Sequence, residues 1–297
     1  MKKFTEERVF MNTSISIQVY SDLGTVKTKE QLDRAFAMFD LVVKKYTRFD
    51  NSSELSKLNK SNGKLYKVSS EFFELIEYLL ELSQITNGVF DPTVIDLLEL
   101  YGYDKNQSYE QLEDPALLNK IKTYSLRRPT PSSIELHKKT SEVKLAKGQR
   151  IDLGSIGKGF AVDLAHSVLS ESFKAFLINA GGDVRIKSDR SVKPTWTMDL
   201  YRAPLPNQAP IDDASWGQLE LSGNISVAGS GGWVRRIKFF HHLLNPKTGL
   251  PQNIVSQTFT IADKAISADA WATILFLMGK NGTELASRNN IEYMIIM

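Results

Sequence analysis

An α+β fold is predicted for this chain, and three observations carry the prediction. Short strand-like runs of alternating or β-branched apolar residues crowd the second half, many of them following one another directly. Stretches with helical periodicity are interspersed among them. No internal repeat, low-complexity linker or composition shift divides the chain, so a single domain over residues 1–297 is expected.

The elements follow in order. Ile15, Ile17 and Val19 alternate with polar residues, the period of a half-buried strand. After Gly24, Thr28 followed by Gln31 has the form of a capping box and predicts a helix opening there. Leu32, Phe36, Phe39, Val43 and Tyr46 then recur at helical spacing. A second helix is predicted from about Ser69 to Gln84, with Phe72, Leu75, Ile76, Leu79 and Leu82 on one face and Asn87-Gly88 as its C-cap. Between 134 and 153, "IELH", "EVKLA" and "RIDLG" read as strands. A helix follows Gly159, its apolar side formed by Phe160, Leu164, Ala165, Val168 and Leu169. Further strands are expected at "AFLINA", "TWTMDLY", "QLELS", "NISVAG", "RIKFFHHLL" and "SQTFTIA". The last clear helix is "SADAWATILFLMG", 267–279, with Ser267 as its N-cap.

Composition narrows the function classes. Hydrophobic content of 42% and charged content of 24% are those of a globular protein rather than a disordered one. The net charge is +3, but lysines and arginines are scattered, so no nucleic-acid face is expected; an anionic small ligand is compatible. With no cysteine, disulfides, thiolate metal sites and cysteine nucleophiles are excluded. Glu6, Glu7 and Arg8 interrupt any apolar signal region, and no run is long enough to span a bilayer. Read as it stands, the chain is expected in the cytoplasm, with a removed signal or lipoprotein leader left open.

Three motifs carry chemistry. In "IDLGSIGKGFAVD", 151–163, a short strand runs into Gly154, Gly157 and Gly159, and a helix begins at once. Backbone N–H groups at such a start, with the Lys158 ammonium, suit an anion. The spacing is neither that of a Walker A loop nor of a dinucleotide fingerprint, and a glycine turn packing helix on sheet accounts for it equally well. In the last helix, Asp269 and Thr273 lie four apart, so two oxygens can face one hard cation; an acid early in a helix also serves the dipole. In "HHLLNPKTGLP", only one of His241 and His242 can face a given site from a strand, and a neutral imidazole takes a proton near pH 7. The Asn-Pro and Thr-Gly steps are ordinary turn chemistry. Two further stretches, "YTRFDNSSELSKLN" (46–59) and "FDPTVIDLLELYGYD" (90–104), read as loops, the latter with Tyr101 and Tyr103 flanking Gly102. Flat aromatics around a glycine suit stacking on a ring, or core packing.

Taken together and in order, these stretches resemble the ApbE family, the FAD:protein FMN transferases. The resemblance runs from about Met11 to Gly279 through "SELSKLN", "FDPT", "LYGYD", "IDLGSIGKGFAVD", "INAGGDVR", "SVAGSG", "HLLNPKTGLP" and "ADAWATILFLMG". It implies mixed, largely antiparallel sheets with packed helices. It also implies a Mg²⁺-dependent enzyme that uses FAD as substrate and moves FMN onto a threonine hydroxyl of an acceptor protein, releasing AMP. By position, Met11, Phe49, Tyr101, Gly102, Tyr103, Asp152, Lys158 and Leu244 would contact FAD. Asp269 and Thr273 would hold the metal by side chain, and Ser155 by its carbonyl. His242 matches the histidine of the family's H-x-x-D-P-x-T-G. Asn12 and Asn245 stand where the family usually has glycine and aspartate, and Ala272 where some members have a further acid near the metal. The chain ends soon after "IEYMIIM", which leaves room for a missing C-terminal piece.

On this reading His242 is the candidate base for the acceptor hydroxyl, and Lys158 adds positive potential where charge builds on the leaving AMP. Two rival readings share the resemblance: an FAD pyrophosphatase giving FMN and AMP, and a non-catalytic FAD-binding protein. The Asp269/Thr273 pair with Lys158 and His242 argues against the second.

Overall fold

The computed structural model describes residues 1–106, 109–204, 214–233, 235–238 and 240–297. β1 (Lys2–Phe10) and β2 (Thr13–Ser21) form an antiparallel hairpin in which Ile15, Ile17 and Val19 are wholly buried. Its turn residues, Met11 and Asn12, both take positive φ, 52° and 58°. Asparagine adopts that conformation more readily than most side chains, so it can replace glycine here.

α1 (Thr25–Tyr46) begins ahead of the expected capping box. Thr28 is buried, and its hydroxyl lies 2.7 Å from Ser21 Oγ and 2.7 Å from the Gly24 carbonyl, so it ties the helix to the strand instead of capping it. The stretch 46–59, expected as a loop, contains α2 (Glu54–Asn59), whose first turn is capped by Ser53. After β3 (Leu65–Lys67), α3 (Ser70–Ile85) starts from Ser69 as expected, and Gly88 closes it by donating to the Ser83 carbonyl at 2.7 Å.

α4 (Ile95–Leu100) occupies the middle of the second expected loop, followed by α5 (Leu117–Arg127), β4 (Glu135–His137) and β5 (Glu142–Lys144). The order β3-β5-β4 makes a small sheet. "RIDLG" is not a strand. The Asn59 amide holds the Ile151 backbone on both sides, at 2.8 and 2.9 Å, and Asp152 N–H donates to the Pro92 carbonyl at 2.8 Å. These groups are satisfied without a neighbouring strand.

α6 (Gly157–Ser170) leads into β6 (Phe176–Ala180), β7 (Asp183–Lys187), the hairpin β8 (Trp196–Tyr201) and β9 (Ser215–Leu221), and β10 (Asn224–Gly231). β11 (Gln257–Ala262), α7 (Ala265–Met278), α8 (Thr283–Arg288) and β12 (Glu292–Ile296) complete the chain. The main sheet has the order β1-β2-β6-β7-β10-β11-β12, and each of these pairings is antiparallel. The fold is α+β, as expected.

The expected strand "RIKFFHHLL" is irregular apart from isolated bridges, Ile237 with Phe240 and Leu244 with Pro251; Phe239 lies outside the described residues. The reason is His241, which is wholly buried. Its Nδ1 accepts from Leu243 N–H at 3.2 Å and its Nε2 lies 2.9 Å from the Gln252 carbonyl, so the imidazole replaces a ladder partner.

Alternation along the strands sorts the two faces of the main sheet. Phe176, Ile178 and Ala180 join the core shared with α1, α6 and α7, while Leu177, Val184, Ile186 and Val227 pack with Trp196 and Leu221 of the β8–β9 hairpin. The same alternation turns Asp183 and Arg185 toward α6, where they meet Lys158 and Asp163. Among the described residues, no helix is long and apolar enough to cross a membrane.

Candidate active site

The loop before α6 is built around Asp152. Its Oδ1 accepts from Gly154 N–H at 2.5 Å and its Oδ2 lies 3.0 Å from Arg48 Nε. Arg48 also donates to the Tyr103 carbonyl at 2.5 Å and to Glu99 at 3.1 Å, and its guanidinium lies 4.4 Å from the Phe49 ring centre. One arginine thus joins Phe49, Tyr103 and Asp152, three of the predicted flavin positions. Sequence reasoning missed it, although an arginine beside an aromatic in a suspected functional loop was the available signal. A cleft of about 320 Å³ opens here, bounded by Arg48, Phe49, Asn51, Glu99 and Asp104.

Helices α6 and α7 meet at Gly159. A Cβ there would lie 2.4 Å from the Ala265 carbonyl oxygen, so only glycine allows this approach. The Gly159 N–H donates to Asp269 Oδ2 at 3.1 Å instead of turning back to the Ser155 carbonyl, which leaves that oxygen free of this helix bond. Lys158 forms an ion pair with Asp183 and lies 3.5 Å from Asp269 Oδ1. Asp183, in the "INAGGDVR" stretch, was not among the predicted site residues because its partner is 25 positions away.

Asp269 is not the surface residue that an N-cap at Ser267 implied. α7 starts at Ala265, so Asp269 lies one turn further in and is only 5% exposed. Burial, then the Asp183 carboxylate, push its pKa up against the opposing pull of Lys158 and the Gly159 N–H. Burial opposes the charge on Lys158, but Asp183 and Asp269 outweigh it and hold the ammonium above the usual lysine range.

Two buried carboxylates therefore share one ammonium, and a divalent cation at Asp269 would relieve the excess negative charge. Thr273, one turn further along α7 with its hydroxyl 3.3 Å from Ser230 Oγ, and the Ser155 carbonyl are neutral hard oxygens of the kind Mg²⁺ accepts. The donor set fits that ion. Among the described residues, no group of three or more His, Asp or Glu converges on a metal position, so water and substrate would complete the coordination.

His242 is partly buried, and its Nδ1 is sequestered with no hydrogen-bond partner among the described residues. Its ring stands edge-on to Tyr103, with centres 6.3 Å apart. Burial, then the positive charge of Arg235, push its pKa down to about 3, with His241 and Lys158 adding to the effect. The two adjacent histidines are thus divided: His241 spends both ring nitrogens on the loop, and the His242 Nδ1 makes no hydrogen bond among the described residues.

Other predicted positions are structural in what they touch. Tyr101 is wholly buried and its hydroxyl donates to the Gly249 carbonyl at 2.9 Å. It packs with Leu244, Leu97 and Ile121, and with Gly102 at φ 91° it fixes the path toward Tyr103. In the turn 245–249, Asn245 Oδ1 accepts from Lys247 N–H at 3.0 Å, a bond that aspartate would make equally. Arg128, also missed, reaches from a buried pair with Asp91 of "FDPT" to the Pro246 carbonyl at 3.2 Å. Met11 is half-buried in the first hairpin turn; the neighbouring Ser14 carbonyl accepts from Gly181 N–H, which puts this turn at the sheet end that carries Asp183.

The ApbE family model matches residues 11–295. The chain belongs to the ApbE family. It is 25% identical to the FAD:protein FMN transferase of Haemophilus influenzae, over 97% of this chain and 84% of that protein. It is 28% identical to the FAD:protein FMN transferase of Buchnera aphidicola, over 82% of this chain and 72% of that one. The crystal structure of the ApbE protein from Thermotoga maritima superposes with a TM-score of 0.85 at 28% identity, covering 99% of this chain and 94% of the other. The flavin transferase ApbE from Vibrio cholerae shares the fold, with a TM-score of 0.82 at 20% identity and coverage of 99% and 93%.

Proposed function

We propose that this enzyme, a flavin transferase like its curated relatives, moves FMN from FAD onto a threonine hydroxyl of an acceptor protein and releases AMP. The observation that supports the finer reading is the junction of α6 and α7, where Lys158, Asp183 and Asp269 meet; Thr273 follows Asp269 by one turn of α7, and Ser155 lies just ahead of α6. Asp269, Thr273 and Ser155 would hold Mg²⁺, which supplies charge neutralisation for the pyrophosphate when bound. Met11, Phe49, Tyr101, Gly102, Tyr103, Asp152, Lys158 and Leu244 are assigned to the FAD site, Tyr101 and Leu244 by shaping its wall from within.

The reaction forms one P–O bond and breaks another. The threonine oxygen attacks the phosphorus of the FMN half, its proton passes to His242, and the bridging oxygen leaves with AMP. A histidine with a pKa near 3 is a weak base at neutral pH, but the negative charge of a bound pyrophosphate favours the imidazolium and draws the value upward. Lys158 stays charged throughout and faces the charge that develops on the leaving group.

Incubation with FAD, Mg²⁺ and a flavin-acceptor domain tests this, with mass spectrometry scoring an FMN adduct on threonine. FMN and AMP without adduct would instead identify a pyrophosphatase, and unchanged FAD would overturn catalysis altogether.

A further inference from the structure

We infer that Asp163 is a positioning residue for the metal site, holding α7 against α6 at the spacing that the cation needs. This rests on the reading of Asp269, Thr273 and Ser155 as ligands. α7 has no side-chain cap of its own; Lys264 precedes it and makes no capping bond. The first N–H groups of a helix need acceptors from elsewhere. Both come from Asp163 of α6, whose Oδ1 accepts from Ala265 N–H at 2.8 Å and whose Oδ2 accepts from Ile266 N–H at 3.0 Å. The carboxylate also faces the positive end of the α7 dipole, and its ion pair with Arg185 of β7, only 10% exposed, fixes its direction.

Asp163 lies one turn after Gly159 on α6, so both project from one helix face. Gly159 donates to Asp269, and Asp163 receives the start of α7. Two such contacts set the relative position and rotation of the helices, where one would leave a pivot. The assigned ligands are split between the two sides: the Ser155 carbonyl precedes α6, while Asp269 and Thr273 belong to α7. Mg²⁺ demands oxygens at about 2.0–2.1 Å in near-octahedral array, so a small slip of one helix past the other would spoil the set.

The test uses the full chain and measures Mn²⁺ binding by calorimetry without FAD, alongside thermal unfolding and the Mg²⁺ dependence of FMN transfer. Asp163→Ala should weaken Mn²⁺ binding about 10-fold or more, the usual effect of losing a support behind a ligand. It should raise the half-saturating Mg²⁺ concentration similarly, with kcat at saturating Mg²⁺ far less affected. Asp163→Asn, which keeps one acceptor oxygen, should fall between and guards against a failure of the alanine variant to fold. Lys264→Ser added to Asp163→Ala supplies a cap from α7's own sequence, since Lys264 already has the extended backbone of a capping residue. That double variant should regain thermal stability without regaining Mn²⁺ affinity. Recovery of both would reduce Asp163 to a helix cap and overturn the inference. Unchanged Mn²⁺ affinity in the single variants would overturn it too, while leaving the ligands in place. A wild type that binds no Mn²⁺ would remove the ligand reading and the inference together.

Discussion

Lys158 Nζ lies 3.5 Å from Asp269 Oδ1 while ion-paired with Asp183, so one ammonium serves two buried carboxylates. Asp269→Asn should therefore have opposite effects with and without metal. Transfer dependent on Mg²⁺ should be lost, as the charged ligand is gone. In chelator, the variant should melt no lower than the wild type, because a carboxylate that burial and Asp183 disfavour has been neutralised. Added Mg²⁺ should raise the wild-type melting temperature and leave the variant unmoved. Thr273→Ala should raise the Mg²⁺ requirement without abolishing turnover. Full activity of Asp269→Asn in excess chelator would remove the metal from the mechanism.

The two histidines should separate by what they damage. His242→Ala should slow transfer by about 10²–10⁴, the span of a lost general base, with FAD binding kept. His241→Ala should act on stability, since it leaves the Gln252 carbonyl and Leu243 N–H without partners in a buried loop, at a cost of about 1–3 kcal/mol. Denaturant titration alongside single-turnover rates would show the division; identical profiles would refute it.

Arg48→Met should raise the Kd for FAD by about 10-fold or more, because it breaks charge-assisted bonds to Asp152 and the Tyr103 carbonyl at once. Arg48→Lys should rescue little, since an ammonium cannot reproduce the planar fork that reaches Asp152, Glu99 and Tyr103 together. Calorimetry with FAD reads both variants, and wild-type affinity in either would end the assignment.

Stability should decline on the acid side well before carboxylates of ordinary pKa titrate. Burial leads in holding His166 and His242 down to about 3, and it lowers His241 as well. Unfolded, each would take a proton near pH 6.5. As pH falls below about 6.5 the unfolded chain binds protons that the folded one refuses, costing up to about 1.4 kcal/mol per pH unit for each histidine. Asp269 works the other way, because its raised pKa lets the folded state keep a proton that the unfolded state has lost. Urea midpoints in chelator should thus drop between pH 6.5 and 4.5, less steeply in His166→Gln and more steeply in Asp269→Asn. A midpoint that rises toward pH 4.5 would contradict this balance.

Helices α3, α6 and α7 were legible because their runs of apolar residues are local, as is the Ser69 cap of α3. The antiparallel core strands β2, β6, β10 and β11 were legible for the same reason. β1, with charged residues on its exposed side, and β12 lacked that pattern, as edge strands often do. "RIDLG" and "RIKFFHHLL" carry strand-like residues, but Asn59 and His241 claim their backbones from a distance or from within. The motifs marked Lys158, Asp269 and His242 in sequence, and the family resemblance added Asp152. Arg48, Asp163, Asp183 and Arg128 were hidden because their meaning lies in partners that only the folded chain brings near.

The order of the main sheet bears on synthesis. β1 and β12 hold opposite edges, and β11 with α7 joins only after the loop carrying His242 has been made. A nascent chain halted before Gln257 would expose β10 as an open edge, with Asp163 and Arg185 facing solvent where α7 belongs. Such a fragment would lack Asp269 and Thr273, the ligands proposed on α7. Competence would therefore arrive in one step near the end of translation, and truncated products would be hazards of aggregation rather than slower enzymes.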